Sequence, residues 1–338
     1  MKTLICINPG KLEYKTTDKP EIAKGRSIIK IKRIGICGTD LHAFEGTQPF
    51  FEYPRILGHE LSGELVAIDD APGFSVGDAI TFIPYFSCGK CIACRSLKPN
   101  CCVNIKVSGV HEDGGMAEYL SVPSYSLVHS RGLNFDSLAL VEPLAIGAHA
   151  VARAGVKPGE YVLVAGAGPI GLGTMEFARI AGGEVIALDI NRKRLQFCRD
   201  RLKVNHIIDA KDTNVMQQLR DITDNDLPTV VIDATGNLSA IQNAFQYIAH
   251  GGRYIMIGLQ KGDVCLNHPE FHKREATLMS SRNATRTNFE QVIGCMISGQ
   301  ISPVTYITHK VSFGEAKHQF VQWLEQANGV IKAMIEVD

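Results

Sequence analysis

The feature that most constrains the fold is a glycine-rich turn at residues 166–171. Gly166-Ala167-Gly168-Pro169-Ile170-Gly171 matches the pattern G-x-G-x-x-G, between an apolar run typical of a buried strand and a stretch with helical spacing. The first glycine permits a tight bend, the second lets a pyrophosphate approach the backbone, and the third lets the helix pack closely on the strand. The amino end of that helix then faces the phosphate charge. The pattern predicts a dinucleotide site, against the alternative of an ordinary glycine turn.

A carboxylate beyond the turn supports this prediction. Asp189 ends the next predicted strand, 18 residues after Gly171, where it can bond ribose hydroxyls. Because a carboxylate repels a 2′-phosphate, Asp189 favours NAD over NADP, whereas the nearby Arg194 could accept that phosphate and keeps NADP open. Gly258-Leu259 marks close backbone approach where a nicotinamide would lie. The predicted cofactor-binding residues are Gly166, Gly168, Pro169, Ile170, Gly171, Asp189, Arg194, Gly258 and Leu259.

Strands and helices alternate after about residue 143. This rhythm predicts a parallel sheet covered by helices on both faces. The apolar runs that read as its strands lie at 161–165, 184–189, 229–233 and 253–257. The earlier part of the chain is β-rich, and near the end a helix is expected at 313–328 and a strand at 331–337. An α/β protein of two domains suits a length of 338 residues.

The charge balance excludes one class of partner. Basic and acidic residues both number 35, so the formal net charge is zero, which argues against nucleic acid. No run reaches the roughly 18 apolar residues that span a bilayer, and the first ten residues do not resemble a signal peptide. No membrane association is therefore expected, and the cytoplasm is the expected location. Disulfides are rare there, so the ten cysteines point to metal binding, catalysis or burial.

Four of these cysteines are closely spaced. Cys88, Cys91, Cys94 and Cys102 form the pattern C-x2-C-x2-C-x7-C in a polar loop that contains lysine. Four thiolates brought together by tight turns suit a tetrahedral zinc ion with every position filled, which is a structural role. An iron–sulfur cluster is the rival interpretation, and buried thiols without metal are a third. Spacing alone leaves open whether Cys102 or the adjacent Cys101 is the fourth ligand.

A second constellation mixes donor types. Gly35-Ile36-Cys37-Gly38-Thr39-Asp40-Leu41-His42 and Gly58-His59-Glu60 together supply sulfur, nitrogen and oxygen, the mixture expected of a catalytic zinc with an open position. Taken singly, Cys37 could be a buried thiol and His59 a core histidine. Glu142 lies in an apolar run near the predicted domain junction. It is either a residue aimed at the metal or its water, or a helix cap or hinge ion pair.

These motifs, in this order, resemble the zinc-dependent medium-chain alcohol dehydrogenases along essentially the whole chain. The resemblance rests on Gly-Ile-Cys-Gly-Thr-Asp, Gly-His-Glu, the four cysteines and the glycine-rich turn. It implies a GroES-like, β-rich catalytic domain at 1–145 and 285–338, with a Rossmann-type NAD-binding domain at 146–284. It further implies two zinc ions per chain and a homodimer or homotetramer.

The resemblance also assigns roles to single residues. Cys37 and His59 correspond to ligands of the catalytic zinc, and Glu60 is added by the polyol branch of the family. Glu142 stands where alcohol dehydrogenases have a second cysteine, so either glutamate could complete the shell. By the same correspondence Thr39 contacts the substrate oxygen, His42 passes the proton on, and Asp40 orients His59. The reaction implied is reversible oxidation of a secondary alcohol by NAD.

Further motifs resemble the sugar-acid branch of the family, which acts on substrates such as L-galactonate or L-gulonate. They are Gln48-Pro49-Phe50-Phe51, Ile83-Pro84-Tyr85, residues 109–115, Glu270-Phe271-His272-Lys273 and residues 281–285. A carboxylate substrate needs a cation, and the candidates are Arg282, then Lys273 and His111. Tyr85 and Phe50 are expected either to shape the pocket or to serve as packing residues. Arg282 could instead bind the cofactor or pair between domains. The alternatives are a threonine or sorbitol-type polyol dehydrogenase and, from another class, a zinc-containing NAD-binding regulatory protein.

Overall fold

The computed structural model describes residues 1–49, 51–325 and 329–338. These residues fall into two units, Met1–Pro143 with Thr285–Asp338, and Leu144–Ala284. Helix α11 ends at Leu324, and residues 326–328 of the helix expected at 313–328 lie outside the described residues, as does Phe50. Among the described residues no helix is long and apolar enough to cross a membrane.

The first unit is mainly β-structure. Numbered along the whole chain, its strands are β1 (Lys2–Asn8), β2 (Lys11–Thr16), β3 (Arg26–Gly35), β4 (Arg55–Ile56), β5 (Glu60–Ile68), β6 (Ala79–Phe82), β7 (Tyr85–Phe86), β8 (Lys106–Val107), β9 (Tyr119–Pro123), β10 (Leu127–His129), β17 (Ile307–Ser312) and β18 (Lys332–Glu336). Its helices are α1 (Gly38–Glu45), α2 (Ile92–Arg95), α3 (Phe135–Ala139), α10 (Arg286–Ile297) and α11 (Ala316–Leu324), with 3-10 turns at Pro99–Cys101, Ser124–Ser126 and Pro303–Tyr306.

The largest sheet of this unit runs in the order β10-β6-β5-β3-β18-β17, with β9 also paired to β3. Strand β3 pairs antiparallel with β5, and the register brings Gly35 opposite Glu60. Strand β18 flanks β3 on the other side, with Met334 opposite Gly35. A buried core that includes Ile31, Leu61 and Phe320 packs beneath these strands. The ends of β3, β5 and β18 therefore meet at one place.

The second unit is a parallel sheet with helices between its strands, which confirms the predicted doubly wound architecture. Its strands are β11 (Tyr161–Ala165), β12 (Glu184–Asp189), β13 (His206–Asp209), β14 (Val230–Asp233), β15 (Arg253–Met256) and β16 (Thr277–Ser280). Its helices are α5 (Pro169–Ile180), α6 (Arg192–Asp200), α7 (Val215–Ile222), α8 (Leu238–Ala244) and α9 (His268–Lys273), with a 3-10 turn at Phe245–Tyr247; α4 (Val141–Ala154) starts in the first unit and continues into the second.

The strand order is β13-β12-β11-β14-β15-β16. The chain leaves β11 in one direction and later returns to its other side at β14, so the order reverses between these two strands. Ligands of such sheets bind outside the carboxyl ends of the strands at this reversal. The glycine-rich turn follows β11 directly, so the fold places it at this point.

Candidate active site and metal centres

The four-cysteine lobe brings its sulfurs together. One ligand atom each from Cys88, Cys91, Cys94 and Cys102 lies within 4.8 Å of all the others. The sulfurs of Cys91 and Cys94 are 3.4 Å apart, and the backbone N–H of Cys88 donates to the Cys102 sulfur at 3.2 Å. Helix α2 and the 3-10 turn after it return the chain to the first pair. Cys101 is exposed and lies outside this group, so the geometry selects Cys102.

The surroundings of the lobe favour thiolates at two of its four cysteines, Cys88 and Cys91. The backbone amides of Cys94 and Val103 lower the pKa of Cys91 to about 6. The amides of Lys90 and Cys91 likewise lower the pKa of Cys88, whereas desolvation raises that of Cys94 to about 11. Sulfurs that converge in this way and accept backbone N–H groups fit a bound divalent metal.

A second group of metal-binding type lies where β3, α1 and β5 meet. Ligand atoms of Cys37, His59 and Glu60 all lie within 4.8 Å of one another. Cys37 is the residue before α1, and Glu60 is the first residue of β5 and is 0% exposed. A Cβ atom on Gly35, opposite in the sheet, would lie 2.3 Å from a Glu60 carboxylate oxygen. Glycine at this position therefore makes the space that the carboxylate occupies.

Asp40 links the two chain segments that carry Cys37 and His59. One of its carboxylate oxygens accepts from the backbone N–H of Cys37 at 2.9 Å, and the other accepts from that of Gly58 at 3.0 Å. The second oxygen lies 3.9 Å from Nδ1 of His59. Asp40 is fully buried, so these contacts fix the segments that carry Cys37 and His59.

His59 has a buried nitrogen without a partner. Nδ1 makes no hydrogen bond to any described residue, and the side chain is almost fully buried. Burial lowers the pKa of His59, but the nearby Cys37, Asp40 and Glu142 outweigh it and hold the pKa well above its usual value. A polar nitrogen is rarely left unpaired in a protein interior. Together with the Cys37 thiol and the Glu60 carboxylate, the His59 imidazole forms a donor set that fits zinc.

Glu142 lies in the first turn of α4 and is nearly buried. The hydroxyl of Tyr85 donates a hydrogen bond to its carboxylate. Burial raises the pKa of Glu142 to about 7, and the charge of Glu60 adds to this effect against the opposing influence of His59. Among the described residues, Glu142 is not in the group of ligand atoms within 4.8 Å of one another. It stands beside that group, held by Tyr85.

Lys332 is a residue that the sequence analysis missed. It opens β18, is 2% exposed, and donates from Nζ to both carboxylate oxygens of Glu60 at 2.7 and 2.6 Å. Burial lowers the pKa of Lys332, but the charges of Glu60 and Cys37 outweigh this and raise it. A lysine at the start of the buried run Lys332-Ala333-Met334-Ile335 was the available signal, because a buried charge requires a partner.

Thr39 and His42 both lie on α1, three residues apart and so on one side of the helix. Thr39 is partly buried, whereas the side chain of His42 is 59% exposed. Nδ1 of His42 lies 3.3 Å from a Glu45 carboxylate oxygen and 3.2 Å from the Thr47 hydroxyl. The helix thus carries one polar group close to Cys37 in sequence and one at the surface.

The predicted cofactor turn has the geometry of a phosphate cradle. Gly166 has a φ of +99°, and a Cβ on Gly171 would lie 1.8 Å from the carbonyl oxygen of Gly166. Gly168 precedes α5, which Pro169 opens, and Ile170 lies in its first turn. At Gly168 the nearest atom to an added Cβ is Nη1 of Arg194, 3.8 Å away. Space for a ligand therefore adjoins this backbone.

Asp189 ends β12 beside this turn. Its carboxylate accepts from the backbone N–H groups of Ala167 at 2.6 Å and Asn191 at 2.7 Å. Gly258, after β15, has no room for a side chain, because a Cβ would lie 2.2 Å from the nitrogen of Gly236. Leu259 is exposed. The structure thus groups Gly166, Gly168, Gly171, Asp189 and Arg194 at the carboxyl end of the sheet.

The predicted substrate residues have varied surroundings. Tyr85 is buried and bonded to Glu142, while His111 is exposed and accepts from the backbone N–H of Val107 at 3.2 Å. Both belong to the first unit. Lys273, at the end of α9, is 65% exposed and 3.9 Å from Glu270, and Arg282 is also exposed. Those two belong to the second unit.

Comparison with known proteins agrees with these features. Residues 23–131 match the family described as alcohol dehydrogenase GroES-like domain, and residues 169–298 match zinc-binding dehydrogenase. The chain is 42% identical to the L-galactonate-5-dehydrogenase of Escherichia coli K12 over 336 residues, which cover 99% of this chain and 98% of that protein. These matches confirm the predicted fold class, with a GroES-like part and a Rossmann-type part.

Two solved structures are similar over nearly the full length. RspB of Escherichia coli CFT073, an alcohol dehydrogenase complexed with NADH, has a TM-score of 0.92 and 27% identity, and the alignment covers 99% of both chains. A zinc-binding dehydrogenase from Sinorhizobium meliloti bound to NADP has a TM-score of 0.90 and 26% identity, covering 99% of this chain and 98% of that one. The relatives confirm the prediction of an alcohol- or polyol-type oxidoreductase. The chain therefore belongs to the zinc-dependent medium-chain alcohol dehydrogenases.

Proposed function

We propose that this enzyme oxidises a secondary alcohol of a sugar acid such as L-galactonate or L-gulonate, reversibly and with NAD. The observation that carries the proposal is the convergence of Cys37, His59 and Glu60, whose ligand atoms all lie within 4.8 Å of one another. The 42% identity to an L-galactonate-5-dehydrogenase over 99% of the chain supports this substrate class.

Two zinc ions per chain are part of the proposal. Cys37, His59 and either Glu60 or Glu142 would hold one, and Cys88, Cys91, Cys94 and Cys102 would hold the other, structural one. When bound, the first ion supplies Lewis acidity, which lowers the pKa of an alcohol. The residues around it keep the ligands in place: Asp40 bonds the Cys37 and Gly58 amides, and Tyr85 bonds Glu142.

The proton of the alcohol leaves through residues of α1. The hydroxyl of Thr39 accepts and passes on the proton near the reacting carbon, and the imidazole of His42 delivers it to water. His42 suits this task because its side chain is exposed to water and either nitrogen of an imidazole can accept or donate a proton. The Thr47 hydroxyl and the Glu45 carboxylate next to Nδ1 orient the ring.

The second unit binds the cofactor in this proposal. The backbone at Gly168 and the amino end of α5 receive the pyrophosphate, and Asp189 receives the adenosine ribose. Both Asp189 oxygens already accept backbone N–H groups, which holds the carboxylate where a 2′-phosphate would be repelled. Arg194 could instead bind the 2′-phosphate of NADP. The test of cofactor choice is therefore the ratio of kcat/KM for NAD and NADP. A higher value with NADP would contradict this assignment.

Substrate choice is tested with a panel of hexonates and the corresponding polyols, scored by NADH formation. We expect activity on L-galactonate or L-gulonate and little on sorbitol. Arg282→Ala should reduce activity on the acid about tenfold or more and leave activity on neutral polyols nearly unchanged, because a guanidinium bonds a carboxylate in a fork. Arg201→Ala is the matched control, since this exposed arginine after α6 is not a candidate substrate residue. Activity on sorbitol or threonine but on no aldonate would contradict the proposal.

The proposal includes a homodimer or homotetramer. Strand β16 lies at the edge of the parallel sheet, and three of its four side chains are exposed, among them Leu278 at 37%. An open strand edge of this kind can pair with another strand. Light scattering of the purified chain tests this, and a monomer at micromolar concentration would contradict it.

A further inference from the structure

Lys332 contacts the proposed catalytic metal site, and the mechanism above gives it no task. Its ammonium donates to the two carboxylate oxygens of Glu60 and, at 3.1 Å, to the carbonyl oxygen of Ile36. These three acceptors use all three ammonium hydrogens. Ile36 precedes Cys37, so this one side chain holds the positions of Glu60 and of the segment that carries Cys37.

Glu60 and Lys332 depend on each other. Removing an ammonium from water is unfavourable unless an opposite charge and hydrogen bonds replace the lost hydration, and Glu60 supplies both. In return, Lys332 neutralises a carboxylate whose oxygen lies within 4.8 Å of donor atoms on Cys37 and His59. Any cation bound there would share the charge of Glu60 with the ammonium.

The second buried carboxylate has a different kind of partner. Glu142 accepts from the hydroxyl of Tyr85, which carries no charge. A hydrogen bond from a phenol leaves the charge of the carboxylate available to a cation, whereas an ammonium at 2.6 Å neutralises much of that charge. Although both side chains are buried, Glu60 and Glu142 are therefore unequal as metal ligands.

We propose that Lys332 is a positioning residue that weakens the hold of Glu60 on the catalytic metal and so makes Glu60 an exchangeable ligand. The inference rests on the proposed function and deepens it, because it explains which of the two glutamates can yield its place. Without the ammonium, Glu60 would give its whole charge to the metal. The metal would then bind more tightly and polarise an alcohol less.

The test compares Lys332→Gln, which keeps N–H donors without charge, with Lys332→Arg, which keeps the charge. Zinc affinity at the Cys37 site is measured by chelator competition on the full chain with the four-cysteine lobe loaded. We expect Lys332→Gln to bind zinc about tenfold more tightly or more, and kcat to fall by about the same factor. Lys332→Arg should stay within about threefold of the original protein in both.

A double variant separates this role from simple structural support. In a Glu60→Gln background, Lys332→Gln should change the zinc affinity much less than it does beside Glu60, because only the direct repulsion between the ammonium and the metal is then removed. Lys310→Gln is the matched control, since this lysine of β17 pairs with Asp136 rather than with a residue of the site. Lys332→Met, which removes charge and polarity together, gives a second measurement if Lys332→Gln does not fold.

The outcomes distinguish this inference from the proposed function. Zinc that binds equally or more weakly in folded Lys332→Gln, or a tightening of the same size in the Glu60→Gln background, overturns the inference and leaves the dehydrogenase proposal standing. If the original protein and Cys37→Ala bind the same number of zinc ions, the catalytic metal site itself is wrong and both proposals fall.

Discussion

The two sites of the first unit that contain cysteine bring their donor atoms together in different ways. The four-cysteine lobe takes all its donors from residues 88–102, and short turns bring them together. The buried cluster takes sulfur, nitrogen and oxygen from Cys37, His59 and Glu60, which meet only because β3, α1 and β5 are packed side by side. The first site is local in sequence, and the second depends on the sheet.

The two sites also treat charge differently. In the lobe, backbone amides stabilise the thiolates of Cys88 and Cys91 without help from a charged side chain. In the buried cluster, Asp40, Glu142 and Lys332 surround the donors with ionisable groups. A closed set of thiolates suits a structural ion, whereas a buried set with mixed donors suits an ion that acts on a substrate. The comparison predicts that damage to the lobe affects stability and damage to the cluster affects activity.

The largest expected effect is on activity, in Cys37→Ala. Turnover should fall by about three orders of magnitude or more, because Lewis-acid stabilisation contributes several kcal/mol to the barrier. Metal analysis should show one zinc ion fewer per chain, and the thermal unfolding midpoint should change little. Cys295→Ala, a buried cysteine of α10, is the control for loss of a thiol. Normal turnover in Cys37→Ala would show that the buried cluster is not a catalytic site and would remove the difference proposed between the two sites.

Cys91→Ser should give the opposite result. A serine hydroxyl is a poor replacement for a thiolate, so the lobe should lose its ion and the midpoint of thermal unfolding should fall by roughly 10 °C. Cys101→Ser is the matched control, since that exposed thiol lies outside the group. Calorimetry and zinc analysis check both variants. A stable, zinc-free Cys91→Ser protein with full activity would show that the lobe has no structural role.

A smaller effect is expected inside the buried cluster, in Tyr85→Phe. The ring keeps its edge contact with Phe289, but Glu142 loses a hydrogen bond to its charged form, worth about 1.5–3 kcal/mol. We expect kcat to fall by about tenfold and KM to stay nearly constant, because Tyr85 is buried against Glu142. Tyr254→Phe, in the second unit, removes a buried hydroxyl bonded to a carbonyl and serves as control. A change confined to KM would instead support Tyr85 as a substrate residue.

The smallest effect concerns an ion-pair network away from both sites. Partial burial raises the pKa of Asp136, but hydrogen bonds from Lys310 and Arg33 outweigh it, so the pKa lies below its usual value of 3.8. A lowered folded-state pKa stabilises the protein above the usual value, and that stability is lost as the pH falls through the folded-state pKa. Asp136→Asn should therefore cost about 0.5–1 kcal/mol at pH 6.

Chemical denaturation at pH 6 and at pH 2.5 checks this prediction. The difference between Asp136→Asn and the original protein should shrink at the lower pH. Measuring bound zinc over the same pH range would separate zinc release from general acid unfolding. This sharpens the contrast between the lobe and the cluster. A difference that stays constant with pH would contradict the assigned ion pairs.

Much of the fold could be predicted because its signals are local. The glycine-rich turn, the strand before it and Asp189 lie close together along the chain, and the parallel sheet followed from the alternation of strands and helices. Boundaries were less certain: the helix expected to begin at residue 313 begins at Ala316, and residues 313–315 form a turn. Helical spacing does not reveal where a preceding turn ends and the helix starts.

Residue types and short spacings, read from the sequence alone, were enough to predict a dinucleotide turn, a four-thiolate lobe and a set of mixed donors. The tertiary structure was needed to choose Cys102 over Cys101, to bond Tyr85 to Glu142 and to pair Lys332 with Glu60. Lys332 and Glu60 are 272 positions apart along the chain, and only the packing of β18 and β5 on either side of β3 brings them into contact. Charge pairing across such a distance is set by the sheet, because a strand does not encode its neighbours.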